Sequence, residues 1–426
     1  MSLNIPFLSS FDPPGTAEGT LDPLGLYQIA EQLATQLVPG VRERMQRIRF
    51  LTAMAVGTLL TEELASDPKQ PEAPPYRVWE WLVIEALIRS MGDNDVLWGV
   101  PGTIVTRRAL AARNYLDARG YLKSPSIFGF HGVYKRLAIH LEIVNVHLGQ
   151  GRNSEALADA WARDRGYNGL AQAKPLMAKW TRAIERSINQ RTAKTQSAFS
   201  TNEWAALAEA MAPHNMKSNE KQFLKSLLHN ENLKALPAIW RLQAEITDDQ
   251  FTEETLHARL EVERPEYASL LDAIRHYEHF ARSMHDSFEI IRTSATQAGA
   301  KGLNLRSLSD NHDFSSSVME LSTKYGNAYQ RLSKLSKEMA NTFEIKFLSF
   351  SEPMGSVDYA RKVCEHHEVI QKSKSATGKL PWFDRLAPDR IYMRHRYQIY
   401  EPIPKRSGYV HTYRGHPIRR FYRDLI

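Results

Sequence analysis

Apolar residues recur with a helical period over most of this chain, and strand-like alternation is confined to short stretches near its end. Asp22-Pro23 precedes Leu26, Ile29, Ala30, Leu33 and Leu37, which predicts one helix, and Pro39-Gly40 stops it. A second helix is predicted over 41–64, with Arg42, Arg44, Arg47 and Arg49 in its first two turns. Cations there oppose the helix dipole, so these arginines need anionic partners, either acidic side chains of the fold or a ligand. Residues 67–75 (DPKQPEAPP) form a Pro-rich linker. Beyond it, 79–91 predicts a strongly amphipathic helix and 103–119 another, broken by Gly120-Tyr121-Leu122. Residues 124–132 (SPSIFGFHG) suit a loop or short hairpin before helical character resumes over 133–147. A helix–turn–helix bearing Arg107, Arg108 and Arg113, followed by an aromatic hairpin, is the order of a winged helix, which places one helix in the DNA major groove.

From 154 to 342 the pattern is helical, with breaks at Pro, Gly or Asn and no fixed repeat. Thr201-Asn202-Glu203 and Thr252-Glu253-Glu254 suit helix starts with acidic first turns. Residues 343–350 (FEIKFLSF) alternate apolar and polar and predict a strand; 357–371 is helical, and 389–414 carries strand-like runs around Pro402-Ile403-Pro404. The expected fold is mainly α: a helical multi-domain protein with a winged-helix-like N-terminal segment and a small basic α+β C-terminal module. Its segments are 1–75 (an extended Ser/Pro/Gly-rich arm, 1–21, then a helical pair), 76–150, 151–342 and 343–426.

Charge changes this picture at one end only. Fifteen of the 55 Lys/Arg and eight of the 48 Asp/Glu lie in 351–426, which leaves 40 of each sign before it. The formal charge of +7 is therefore a C-terminal property. The same stretch interleaves aromatic rings, and basic groups beside flat rings suit a polyanion, since charges meet phosphates while rings stack on bases. The alternative is a basic face docking on an acidic partner. One cysteine, Cys364, precludes an intramolecular disulfide and suits a reducing cytoplasm. No apolar run approaches ~18 residues and no secretory pattern opens the chain, so the expectation is a cytoplasmic protein without a membrane partner.

No G-x-S-x-G, H-E-x-x-H, C-x-x-C or strand-borne G-x-G-x-x-G occurs. His276, His279 and His285 share one helical run but diverge around its axis, so they suit structural roles better than metal ligation. Glu344-Ile345-Lys346 resembles half of the E-x-K motif of metal-dependent nucleases, which also requires an Asp on an adjacent strand. The 366–383 stretch (HHEVIQKSKSATGKLPWF) offers Lys374 and Lys379 as an anion site, and His411, Arg414 and His416 as further pocket members, without convergent carboxylates.

Two passages resemble uncharacterised bacterial proteins found among anti-phage defence genes: the N-terminal DPLGL, LVPGV and RIRF, and the C-terminal HHEVIQKSK…GKLPWF with the later VHTYR and FYRDL. The resemblance implies a component of a multi-gene antiviral complex alongside a helicase, ATPase or nuclease, and supplies no catalytic residues. The function expected is a non-catalytic DNA-binding or adaptor subunit, with no cofactor, metal or catalytic residue. Arg390, Arg394, Arg396, Lys405, Arg406, Arg414, Arg419 and Arg420 are its expected phosphate contacts, and Tyr397, Tyr400 and Tyr413 its stacking or docking rings. Lys374 and Lys379 form a second anion site, and Arg107 and Arg108 belong to the winged-helix-like region. A metal-dependent nuclease effector using 344–383, or a scaffold docking an acidic subunit, are the alternatives.

Overall fold

The structure, a computed structural model, describes residues 22–92, 97–374, 378–400 and 408–426. Helices dominate, with one small antiparallel sheet near the C-terminus, so the protein is mainly α with a small α+β C-terminal part. None of the described helices is long and apolar enough to cross a membrane. The chain divides into two compact units, each assembled from separate stretches. One joins the segment ending at Ala34 to Thr252–Tyr413; the other joins Thr35–Phe251 to Arg414–Ile426. These units cut across the four consecutive segments read from the sequence, because the last helix, Gly415–Leu425, belongs with residues made long before it.

In the Thr35–Phe251 unit, the Pro75–Met91 helix is the innermost element. Every residue from Val78 to Leu87 is buried, so it is surrounded rather than amphipathic. Gly57 lets the Phe50–Thr61 helix lie against it: a Cβ there would come within 2.5 Å of the Trp79 ring. Trp79 in turn donates its indole N–H to the Ala53 carbonyl at 2.8 Å and packs 5.6 Å from Trp180, which lies 5.8 Å from Trp161. Two carboxylates are carried inside on that helix. Glu80 accepts from the Tyr121 hydroxyl (2.7 Å) and from the backbone N–H (2.9 Å) of His131. Glu85 is bonded to Thr195 and Arg89, and burial raises its pKa. Such groups are tolerable in a core only because their hydrogen-bonding capacity is met.

Several sequence expectations fail here for identifiable reasons. The second helix starts at Phe50, not at 41, so Arg42, Arg44, Arg47 and Arg49 lie ahead of its first turn and the dipole conflict never arises. Fold carboxylates serve two of them: Arg47 meets Asp424 at 3.0 Å, and buried Arg49 meets Glu220 at 2.9 Å. Arg49 also donates to the Ala210 and Ala212 carbonyls at the end of the Thr201–Met211 helix. The 103–119 helix stops at Arg113, where Asn114 turns left-handed (φ 62°) and Arg89 takes its carbonyl and side chain. Residues 124–132 are helical, Pro125–Phe128 and the start of Phe130–His140, where a hairpin was expected. Pro125 suits a first helical turn, and buried Glu80 fixes the His131 N–H. The wing is thus missing: β pairing by the described residues of 76–150 is limited to two isolated bridges, Asp117–Lys194 and Val144–Gln150, so no winged helix is formed among them.

The other unit is organised by the Ala268–Ala298 helix and its packing against His312–Leu335. Phe280, Tyr325, Phe343 and Phe347 form its aromatic centre, with Phe280 5.1 Å from Phe343 and 5.2 Å from Phe347. Phe343 and Phe347 come from the stretch expected to be a strand. Phe343, Phe347 and Phe350 are buried at helical spacing while Ile345 is 74% exposed, so the helical period prevails over the apparent alternation, and the Lys337–Phe347 helix forms instead. Strands β1 (Leu303–Asn304), β2 (Phe383–Ala387) and β3 (Arg390–Met393) form an antiparallel sheet in the order β1-β3-β2, with Phe383 opposite Met393 and Leu303 opposite Ile391. The expected strand over IYMRHRYQIY is therefore only partly formed, and GYVHTYR forms none within its described residues.

The two passages that carried the resemblance, DPLGL and HHEVIQKSK, meet in this unit. Five successive carbonyls, from Asp22 to Leu26, each accept a side-chain donor: Lys374 on Asp22, His367 on Pro23 (2.9 Å), His366 on Leu24 (2.8 Å), Lys346 on Gly25 (3.4 Å) and Tyr277 on Leu26. His367 donates through Nδ1 while its Nε2 accepts from the Trp382 N–H at 2.9 Å, an arrangement that only the neutral ring provides.

Burial holds His367 down to about 3, and His257, packed against Tyr409 and Tyr413, is likewise pushed down to about 3. Both rings stay neutral in the fold but charge in the unfolded chain below its ordinary value of 6.5. Their contribution is complete above that pH and is lost as pH falls from there toward about 3. Each histidine should cost about 2 kcal/mol of stability at pH ~5 relative to neutral pH. Denaturant titrations at the two pH values should show that loss, and His367→Phe should remove about half of the pH dependence attributable to the pair.

Candidate anion-binding cleft

The expected contact residues do not form one surface. Arg394, Tyr413, Arg414 and Arg419 are buried. Arg394 pairs with Asp384 at 2.7 Å, and the Tyr413 hydroxyl donates to Glu278 at 2.6 Å, so both serve the interior. Lys374 reaches the Asp22 carbonyl and is half-buried, which withdraws it from a surface anion site. Tyr397 stacks parallel on Trp382 at 4.7 Å. Arg390, Arg396 and Tyr400 are exposed and Lys379 is partly exposed. Lys405 and Arg406 lie outside the described residues, as do the 1–21 arm and Pro402-Ile403-Pro404. Arg107 and Arg108 sit on the Thr103–Arg113 helix, Arg108 exposed and Arg107 partly buried. Of the expected pocket members, His411 bonds Glu278 in the Thr252–Tyr413 stretch, whereas His416 and Arg414 belong to the other unit. Glu344 and Lys346 stand on a helix and engage Tyr329 and Gly25, so the expected E-x-K strand is not built. Among the described residues no three His, Cys, Asp or Glu side chains gather to hold a metal.

One group of basic and aromatic side chains does converge, around the Gly415–Leu425 helix. His416, Arg419, Arg420 and Arg423 follow i, i+3, i+4, i+7 spacing, which places them on one side. They line a cleft of about 500 Å³ with Arg47, Asp424, Trp98, Asp248 and Phe251. The opposite side of the helix carries Ile418, Phe421 and Leu425 into the core.

Three of the four guanidinium groups in the cleft are tied to carboxylates. Arg47 pairs with Asp424 and donates through Nε to the Trp98 carbonyl at 3.0 Å. Arg419 and Arg423 share Asp248, and their hydrogen bonds hold its carboxyl below the ordinary range. Arg419 also donates to Gln243 (3.2 Å) and the Ile246 carbonyl (2.9 Å), while its guanidinium lies 4.4 Å from the centre of the Phe251 ring. Arg420 differs. Among the described residues it makes no ion pair or hydrogen bond, and its guanidinium rests 5.5 Å from the centre of the half-exposed Trp98 ring. Burial lowers its pKa, the sign of a cation only partly hydrated, with Glu43 as the opposing negative influence. His416 is pushed down by burial and by Arg420, against the opposing pull of Glu43, and this shift favours its neutral ring.

Four guanidinium groups against two carboxylates leave the cleft with a net charge of +2. Arg419 and Arg420 were expected contacts; Trp98, Phe251, Arg47 and Arg423 were not. The run HPIRRFYRDLI holds the signal for the helical members, but nothing in the order of residues places Trp98 and Phe251 beside them.

Neighbouring arginines should behave oppositely on substitution. Arg419→Ala strands Gln243 and a buried carbonyl and should cost roughly 2 kcal/mol in chemical denaturation. Arg420→Gln should stay within about 0.5 kcal/mol of the parent. Equal losses would mean that Arg420 is a packing residue.

No protein-family model matches this chain, and neither the curated proteins nor the solved structures include one similar to it, so the cleft stands on its own chemistry.

Proposed function

We propose that this protein is a non-catalytic nucleic-acid-binding subunit and that DNA phosphate enters the cleft beside the Gly415–Leu425 helix. The observation that carries this reading is Arg420: a partly buried cation that, among the described residues, no carboxylate contacts, although Glu43 acts on it from nearby, in a net-positive cleft walled by Trp98 and Phe251. A phosphate oxygen supplies the acceptor it lacks, and the exposed part of the Trp98 ring, which Arg47 and Arg420 also approach, offers apolar surface to a base. Asp248 bridges Arg419 and Arg423, and Asp424 holds Arg47, so three of the four guanidinium groups are fixed in place. The resemblance of both ends of the chain to defence-gene proteins extends the proposal to an adaptor role beside a helicase, ATPase or nuclease.

Fluorescence anisotropy with labelled single- and double-stranded DNA across a salt series tests the reading. Affinity should fall steeply with salt, by a slope of about 0.7–0.9 per phosphate neutralised. Arg420→Glu combined with Arg423→Glu should abolish retention at moderate salt. Binding by that double variant equal to the parent would sink the assignment of the cleft.

A further inference from the structure

Resting on that reading, we infer that the cleft receives a terminal phosphate monoester at the end of a single strand, in preference to the internal diesters of a duplex. Depth is the first reason. Duplex phosphates ride on a broad convex surface and are met by extended, hydrated side chains. Arg420 is instead half-withdrawn, with burial already depressing its pKa, and sits under Trp98 inside a concavity of about 500 Å³. A strand end can bring its phosphate to a half-withdrawn guanidinium, whereas a duplex flank meets the exposed rim of the cleft first.

Charge is the second reason. An internal diester carries a single negative charge, whereas a terminal monoester carries about −1.5 to −2 at neutral pH and offers three acceptor oxygens. The lining side chains sum to +2, with Glu43 the nearby negative group acting on Arg420, and a monoester offsets that excess more fully than a diester. Among the described residues Arg420 engages none of its donors, and Arg423, exposed and paired with the still more exposed Asp248, is placed to add a second guanidinium. The terminal base then meets the exposed half of the Trp98 ring, over which Arg47 and Arg420 also lie, beside the phosphate position. Stacking of this kind is indifferent to base identity, so the site selects for an end and not for a sequence.

The test uses the full chain and one single-stranded oligonucleotide in three forms: 5′-phosphorylated, 3′-phosphorylated and unphosphorylated, with a blunt duplex of the same sequence and a free deoxynucleoside monophosphate as competitor. One phosphorylated end should bind roughly 10-fold tighter or more than the unphosphorylated strand, the size of one or two charge-assisted hydrogen bonds. Arg420→Gln should erase that difference, Arg420→Lys should restore part of it, and Trp98→Ala should weaken both forms. If all three strands bind alike with steep salt dependence, the preference for an end is overturned while nucleic-acid binding stands. Absence of binding at any salt removes both. Displacement by the free monophosphate at the oligonucleotide's own affinity overturns the strand assignment in favour of a nucleotide.

Discussion

The unit containing Ala268–Ala298 depends on how the carbonyls of Asp22 to Leu26 are satisfied. A run of five backbone acceptors packed inside a protein is costly unless each finds a donor, and here none of these donors is a neighbouring backbone group of the same turn. Lysine, histidine and tyrosine side chains from three different helices converge on them. Each long side chain is held at its tip, so the helices that bear them are held as well. Burial lowers the pKa of Lys346 and of Lys374, which shows how far the turn draws these cations out of water. Asp22 favours the charged form of both, and its own side chain caps the Tyr27–Leu37 helix by accepting from Leu26 and Tyr27.

The same economy of partners explains why a positive sequence is not a uniformly positive surface. Arg394, Arg361 and Arg385 are paired with Asp384, Asp389 and Glu368, and Arg282 and Arg292 are engaged by the Gly408 and Tyr397 carbonyls. These arginines hold the sheet and the chain around it in place. The excess charge that remains is local, and Arg420 beside Trp98 is its clearest instance.

Helices were legible wherever local chemistry and the apolar period agreed. Ser200 and Glu203 form a capping box at the predicted start of Thr201–Met211, and Thr252 accepts from Thr255 at the other predicted start. Failures cluster where tertiary partners override local pattern. The 343–350 stretch satisfies alternation and helical spacing equally on paper, and the aromatic cluster around Phe280 decides for the helix. Glu80, an unremarkable glutamate in the sequence, fixes the segment mistaken for a wing through contacts far along the chain. The cleft was half legible for the same reason: spacing within one helix groups Arg419, Arg420 and Arg423, whereas Trp98 and Phe251 join them only through the fold. Charge counting put Arg394, and the interleaving of rings put Tyr413, on a surface from which burial removes them.

The membership of the Gly415–Leu425 helix bears on how the protein is made. That helix fills part of the core of a unit whose other residues end at Phe251, so on the ribosome those residues emerge and must wait through the synthesis of Thr252–Tyr413 for their missing piece. The waiting unit lacks Ile418, Phe421 and Leu425 from its interior, and Arg47 lacks Asp424. A nascent chain in this condition exposes apolar surface that a chaperone recognises. The cleft is also incomplete until the Gly415–Leu425 helix is made, so a product truncated before it keeps Arg47 but lacks Arg419, Arg420 and Arg423.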